Sequence, residues 1–304
     1  ALQPIRLTGK IHRPTGECDP SFNGTIPLRM YDAEEEYTTL DNAQTGKPFT
    51  YKDRKNVLFS GKDSVRNGEF EFRFTLPKAI SYSNRQGRMN FYAENKKNEE
   101  ALGHFDHFIV GGSADTTHTD DKGPEIISLF LNNPVFQQDN RVNRTPQLHV
   151  ELSDESGINI SGSGIGHDLI AIIDNDPKQS YLLNDYFQPT LGEAGKGTIL
   201  FTLPPLSEGS HQLFFRAWDI AGNSSFTTIQ FEVVENLAPR LFDLYVNNNP
   251  ASDYVIFYVV HDRPGTAINL RIEVFSIQGI KVWEHNEPLF AESYRSRTIP
   301  WNLH

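Results

Sequence analysis

The stretch GEFEFRFTL, Gly68 to Leu76, alternates without a break. Phe70, Phe72, Phe74 and Leu76 share one face, and Glu69, Glu71, Arg73 and Thr75 share the other. Successive side chains of a strand point to opposite faces, so this stretch rests one face on a core and keeps the other in water. A helix would scatter the same residues around its axis. PIRLTGKIH (from Pro4), RMNFYAEN (from Arg88) and GHFDHFIVGG (from Gly103) carry the same period. Aromatic residues that favour strands are abundant, with 21 Phe and 11 Tyr, while only 2 Met are present, so long helices are not expected. Residues 1–112 therefore read as a sandwich of short antiparallel strands.

The polar run SADTTHTDDKGP, residues 113–124, ends in Gly-Pro and reads as a linker. Residues 125–235 hold EIISLFLNN, PQLHVELSD, HDLIAIIDND, GTILFTLPPL, HQLFFRAWDI and SFTTIQFEVVE, strand candidates at fairly regular spacing. That spacing is the mark of an immunoglobulin-like sandwich, although the Cys–Trp–Cys trio of antibody domains is missing. Residues 236–304 supply DYVIFYVVHD, INLRIEVFSIQGIKVWE and YRSRTIPWNLH. Gln278-Gly279 predicts a two-residue hairpin turn there. So few strands predict an incomplete sandwich. The expected fold class is all-β: tandem immunoglobulin-like or β-sandwich domains, the last one incomplete. A length of 304 residues suits such a division.

The formal charge of −11 repels phosphate backbones, so nucleic acid is not an expected partner. No run approaches the roughly 20 apolar residues of a membrane helix, so no transmembrane segment is expected. The opening ALQPIRLTGK lacks the apolar stretch of a signal peptide and starts as if a strand were already under way. The single cysteine, Cys18, excludes a disulfide scaffold.

Cys18 sits in HRPTGECDPSFNG with His12 and Asp19 near in sequence, but no nucleophile motif surrounds it, and a loop thiol is the expected reading. His104 and His107 lie three apart on a strand pattern, which puts them on opposite faces and disfavours zinc. The loops LSDESGIN (Leu152 to Asn159), IIDNDPKQ (Ile172 to Gln179) and AWDIAGN (Ala217 to Asn223) offer oxygen ligands of the kind calcium takes. The same Asp and Asn residues also cap turns, which is the preferred reading. GSGIG carries neither a serine elbow nor a phosphate loop. Gly162, Gly164 and Gly166, with His167 and Asp168, read as the start of the strand Leu169 to Ile173. Trp218, Trp283 and Trp301 fit strand cores better than a glycan-binding face. No catalytic, cofactor-binding or metal residue is expected, with calcium the one ion left open.

SDESGINISGSGIGHDLIAIIDND, LLNDYFQP and GTILFTLPPLSEGSHQLFFRAWDIAGNSS resemble the region after the catalytic domain in the sortases of type IX secretion, a family of gingipain-like cysteine peptidases in Bacteroidetes. FNGTIPLRMYD, the segment from Pro48 to Tyr82 and HFDHFIVGG are similar to the part that follows the peptidase fold. Ile272 to Trp283 and Pro300-Trp301-Asn302 resemble the C-terminal sandwich of type IX cargo and sortases. The resemblance spans essentially the whole chain, and its middle block is the most specific.

It implies a non-catalytic piece of an enzyme. The catalytic cysteine and histidine of the family would precede Ala1, and Cys18 does not match that cysteine. The whole enzyme removes C-terminal signals from secreted cargo and attaches anionic lipopolysaccharide in their place. The roles implied here are anchoring, partner binding and architecture at the outer face of the outer membrane. The implied partners are an outer-membrane β-barrel of the type IX system and the C-terminal signal domains of cargo. The family's terminal glycine-aromatic strand does not follow Trp301, which leaves an open sheet edge. The competing expectation is a cell-surface adhesin or glycan-binding sandwich.

Overall fold

The computed structural model describes residues 2–303 apart from 43, 45, 82, 113–119, 137–139, 163–165 and 248–249. Most of the expected linker, and Gly164 of the glycine turn, thus lie outside the described residues. Twenty-four strands and a few one-turn 3-10 segments carry the described chain, so the protein is all-β and built as tandem sandwiches. Two compact units form. The first comprises Ala1–Ser128, Val150–Ile199 and Leu213–Ile229, and the second comprises Leu129–His149, Leu200–Gln212 and Gln230–His304.

In the first unit, β1 (Pro4–Lys10) pairs with β6 (Glu69–Thr75) along its whole length, Pro4 opposite Thr75 and Lys10 opposite Glu69. A second sheet has the order β5 (Val57–Val65), β2 (Gly24–Tyr31), β8 (Arg88–Asn95), β9 (Glu100–Phe105). Between them lie Ile26, Leu28, Met30, Leu58, Phe72, Phe74 and Ala93, all buried. The Phe59 and Phe74 rings stack with centroids 3.9 Å apart. Each buried side chain of this size stabilises the fold by about 1.5–3 kcal/mol. The alternation of β6 is thus met by a core on one side only. β3 (Glu35–Thr38) and β4 (Thr50–Asp53) form a separate hairpin, and β7 (Arg85–Gln86) pairs with β10 (Ile109–Val110).

The chain then runs through β11 (Glu125–Leu131), β12 (Arg141–Val142), β13 (Gln147–Ser153), β14 (Ile170–Ile173), β15 (Ser180–Leu182), β16 (Phe187–Thr190), β17 (Glu193–Thr202), β18 (Gly209–Trp218) and β19 (Ser224–Val233). Within the first unit β14 lies between β15 and β18, with Ile172 opposite Ser180 on one side and Phe214 on the other. This two-sided pairing explains the apolar run: Leu169, Ala171 and Ile173 are fully buried. Asn184 fixes the start of the strand by accepting from the Leu169 amide at 2.9 Å and donating to the Ile160 carbonyl at 3.2 Å.

In the second unit β12 runs parallel to the end of β19, Val142 opposite Val233. A three-stranded sheet has the order β20 (Leu241–Asn247), β21 (Tyr254–His261), β24 (Ile299–Asn302), and β22 (Thr266–Phe275) forms a ribbon with β23 (Lys281–Ala291). Val255, Phe257, Val259, Leu270, Ile272 and Ile299 make the core, with Trp283 and Trp301 packed against it. The hairpin differs from the expected two-residue turn. Ser276 donates its amide to the Ile280 carbonyl at 2.8 Å, leaving a three-residue loop, Ile277 to Gly279. Gly279 closes it at φ 81°, the left-handed residue that a bulged three-residue hairpin requires.

Candidate functional site

Two of the acidic loops meet in the first unit. Oxygens of Asp120, Asp154 and Asp219 lie within 4.8 Å of one another, the one group of three or more such ligands among the described residues. Asp219 follows the last residue of β18 and is fully buried. Its Oδ1 accepts from the Gly222 amide at 2.6 Å and the Asn223 amide at 2.7 Å, and its Oδ2 accepts from Asn223 Nδ2 at 2.7 Å. Gly222 sits at φ 100°, which lets the chain fold back tightly enough for these contacts. Asn223 Nδ2 also donates to the Asp120 carbonyl at 2.9 Å, which brings Asp120 in from the segment before β11.

Asp154 ends β13 in the same way. Its Oδ1 accepts from the Ser156 amide, the Ser156 hydroxyl and the Gly157 amide, at 2.9, 2.7 and 2.9 Å. Its own amide donates to the Gly195 carbonyl at 2.8 Å. A Cβ on Gly195 would meet the Asp154 carbonyl oxygen at 2.0 Å, so only glycine fits there. Burial pushes the Asp154 carboxyl above its usual range, the Ser156 and Gly157 hydrogen bonds pull it back, and the charge of Asp219 adds a further upward push. Three hard oxygens at this spacing have the chemistry a divalent cation takes. Each carboxylate is also a turn cap, since Asp120 accepts from the Lys122 amide at 3.1 Å. Asp120 lies in the expected linker, where no sequence signal marked it. The third acidic loop stays apart: Asp176 caps the turn at Lys178.

The remaining candidates separate. Cys18 is a free thiol placed opposite His12 across a narrow hairpin. No hydrogen bond joins its Sγ to a base among the described residues. Asp19 is held elsewhere, by the Ser21 hydroxyl at 2.6 Å and Arg13 at 3.0 Å, and these contacts lower its pKa to about 2. His104 lies in β9 and His107 beyond its end, exposed beside Asp106 at 3.4 Å. The His167 ring packs against Trp218 with centroids 4.2 Å apart at a tilt of 44°, and Asp168 accepts from Asn184 at 3.0 Å. Trp283 and Trp301 are half-buried and stack on each other at 5.2 Å against the second unit's core. No described helix is long and apolar enough to cross a membrane.

No protein-family model and no curated protein sequence matches the chain. Among solved structures, it is similar at 33% identity to dimeric latent PorU from Porphyromonas gingivalis, with 100% of this chain and 28% of that chain covered and a TM-score of 0.44. The identity along the whole chain, rather than the superposition, carries this likeness. The chain spans little more than a quarter of that protein's length. A bacterial ice-binding adhesin of 1.5 MDa matches at 11% identity over 98% of this chain and 78% of its own, with a TM-score of 0.20.

Proposed function

We propose that this chain is the non-catalytic C-terminal region of a gingipain-like cysteine peptidase that acts as a type IX sortase at the cell surface. The observation that carries the reading is the 33% identity to PorU along the complete chain. The local chemistry agrees with it, because Cys18, the only thiol, has no base in hydrogen-bond contact among the described residues. The whole enzyme would remove C-terminal signals from cargo and join the cargo to anionic lipopolysaccharide. The sandwiches would hold that enzyme at the outer membrane, bind an outer-membrane β-barrel through residues 236–304, and present cargo signals.

A pull-down tests this. The tagged chain is incubated with detergent-solubilised outer-membrane proteins of the source bacterium, and the retained proteins are identified by mass spectrometry. The expected result is an outer-membrane barrel, lost when residues 236–304 are removed from a fragment that still melts cooperatively. Retention of glycans with no barrel would instead favour a surface adhesin.

A further inference from the structure

The four-stranded sheet of the first unit ends on β9, and no described residue pairs with the outer side of that strand. The hairpin leading into β9 fixes which backbone groups that side presents. The Asn95 amide donates to the Glu99 carbonyl at 3.2 Å, so these two residues form a hydrogen-bonded pair. Such pairs alternate along an antiparallel ladder. Ala101, Gly103 and Phe105 therefore turn their backbone groups to β8, opposite Ala93, Phe91 and Met89. The N–H and C=O of Glu100, Leu102 and His104 point away from the sheet, and none has a backbone partner among the described residues.

Edge strands are ordinarily guarded by a lysine, a proline or a bulge. β9, EALGHF, has none of these, and its register with β8 runs unbroken from Glu94 opposite Glu100 to Met89 opposite Phe105. Leu102 is 82% exposed on the solvent face of the sheet. Glu100 and His104 flank it on that face, both exposed and neither in a salt bridge among the described residues. The Tyr92 hydroxyl donates to Glu100, a bond that raises the tyrosine above its usual range and leaves the carboxylate's charge uncompensated. Arg29 lies two strands in from His104, across Asn90, and adds positive charge at the His104 end.

This edge is complementary to itself. An antiparallel second copy, related by a two-fold axis at Leu102, sets Leu102 opposite its own counterpart. The same register sets Glu100 opposite the second copy's His104, and His104 opposite the second copy's Glu100. All three are pairs of the kind that exchange both main-chain hydrogen bonds, so every outward N–H and C=O of these residues is met. Opposite side chains then start about 5.5 Å apart, close enough for imidazole to donate to carboxylate. A slip of two residues either way would set Leu102 against Glu100 or His104 instead, which fixes the register.

We propose that two copies of this chain associate through β9, edge to edge and antiparallel about Leu102, joining their four-stranded sheets into one. The contact is isologous and short, which places it at the weak end of specific interfaces, with a dissociation constant on the order of 10–100 µM.

Sedimentation equilibrium of the full chain, from micromolar to millimolar protein, tests this. A reversible dimer is expected. Glu100→Lys sets a lysine against His104, and His104→Glu sets two carboxylates against each other, so each is expected to weaken dimerisation by about tenfold or more. The double variant restores opposite charges in both pairs and is expected to return the affinity to within about threefold of the native chain. Leu102→Lys sets like charges on the axis and is expected to leave a monomer. Leu40→Lys, at a leucine just as exposed but distant in sequence from β9, is expected to change nothing. Thermal melts of all variants report the fold. A monomer at every concentration overturns the proposal. So does a dimer that survives Leu102→Lys, or a double variant that melts normally and fails to recover what the single variants lose.

Discussion

Asp219 has no access to solvent, yet its carboxylate answers three donors: the Gly222 and Asn223 amides and the Asn223 side chain. Replacing it by alanine leaves those donors short of a partner in a buried turn. Asp219→Ala is expected to lower stability by about 2–4 kcal/mol, seen as an earlier urea midpoint with an unchanged slope. A midpoint that stays put would show that the turn holds without its cap. His261 carries the opposite risk, a buried base. Its Nδ1 accepts from the Arg263 amide at 3.1 Å, and its Nε2 has no partner among the described residues. Burial holds its pKa below the ordinary value, the charge of Asp262 raises it somewhat, and that of Arg263 lowers it. The unfolded chain takes up a proton first as pH falls through about 6.5. The stability owed to neutral His261 is therefore complete above that pH and is lost on the way down to the folded value. Thermal melts from pH 7.5 to 5 should show this fall, and His261→Gln should flatten it. AWDIAGN announced its turn in sequence, because Asp, Gly and Asn at that spacing suit only a tight reversal. His261 announced nothing, because its burial depends on what packs over β21.

The β22–β23 ribbon shows the same division among elements. Alternation and a glycine in QG predict a hairpin at that place, and it forms there. The loop gained a residue because Ser276 pairs with Ile280 and its hydroxyl also accepts from the Gln278 and Ile280 amides. Gly279→Val forces a β-branched residue to positive φ. It is expected to cost about 1–2 kcal/mol and to lower the melting temperature, whereas the same change at solvent-exposed Gln278 should be nearly silent. Equal melts for the two would mean that the loop can change type. β6 was legible throughout, since each Phe of its alternating set lies on or against the core. The partner of β6 was not legible: β1 and β6 are some sixty residues apart, and period two says which face is buried without saying against which strand.

At the scale of the whole molecule, the chain sets its one thiol opposite His12 with no hydrogen bond from Sγ to a base among the described residues. It is therefore expected to hydrolyse no fluorogenic peptide, and Cys18→Ala should leave melting and partner retention unchanged. Cys18-dependent cleavage would overturn the architectural reading. The sequence by itself determined the all-β class, the buried face of most strands and the place of most turns. These follow from side-chain alternation and from the sterics of Gly, Asn and Asp, which act within a few residues. Only the tertiary structure decided that Asp120 joins Asp154 and Asp219, that His167 packs against Trp218, and that β5 and β6 part to leave a groove. Those outcomes depend on which distant strands share backbone hydrogen bonds and on how far side chains hold two sheets apart. Both are long-range packing effects, and local periodicity carries no record of them.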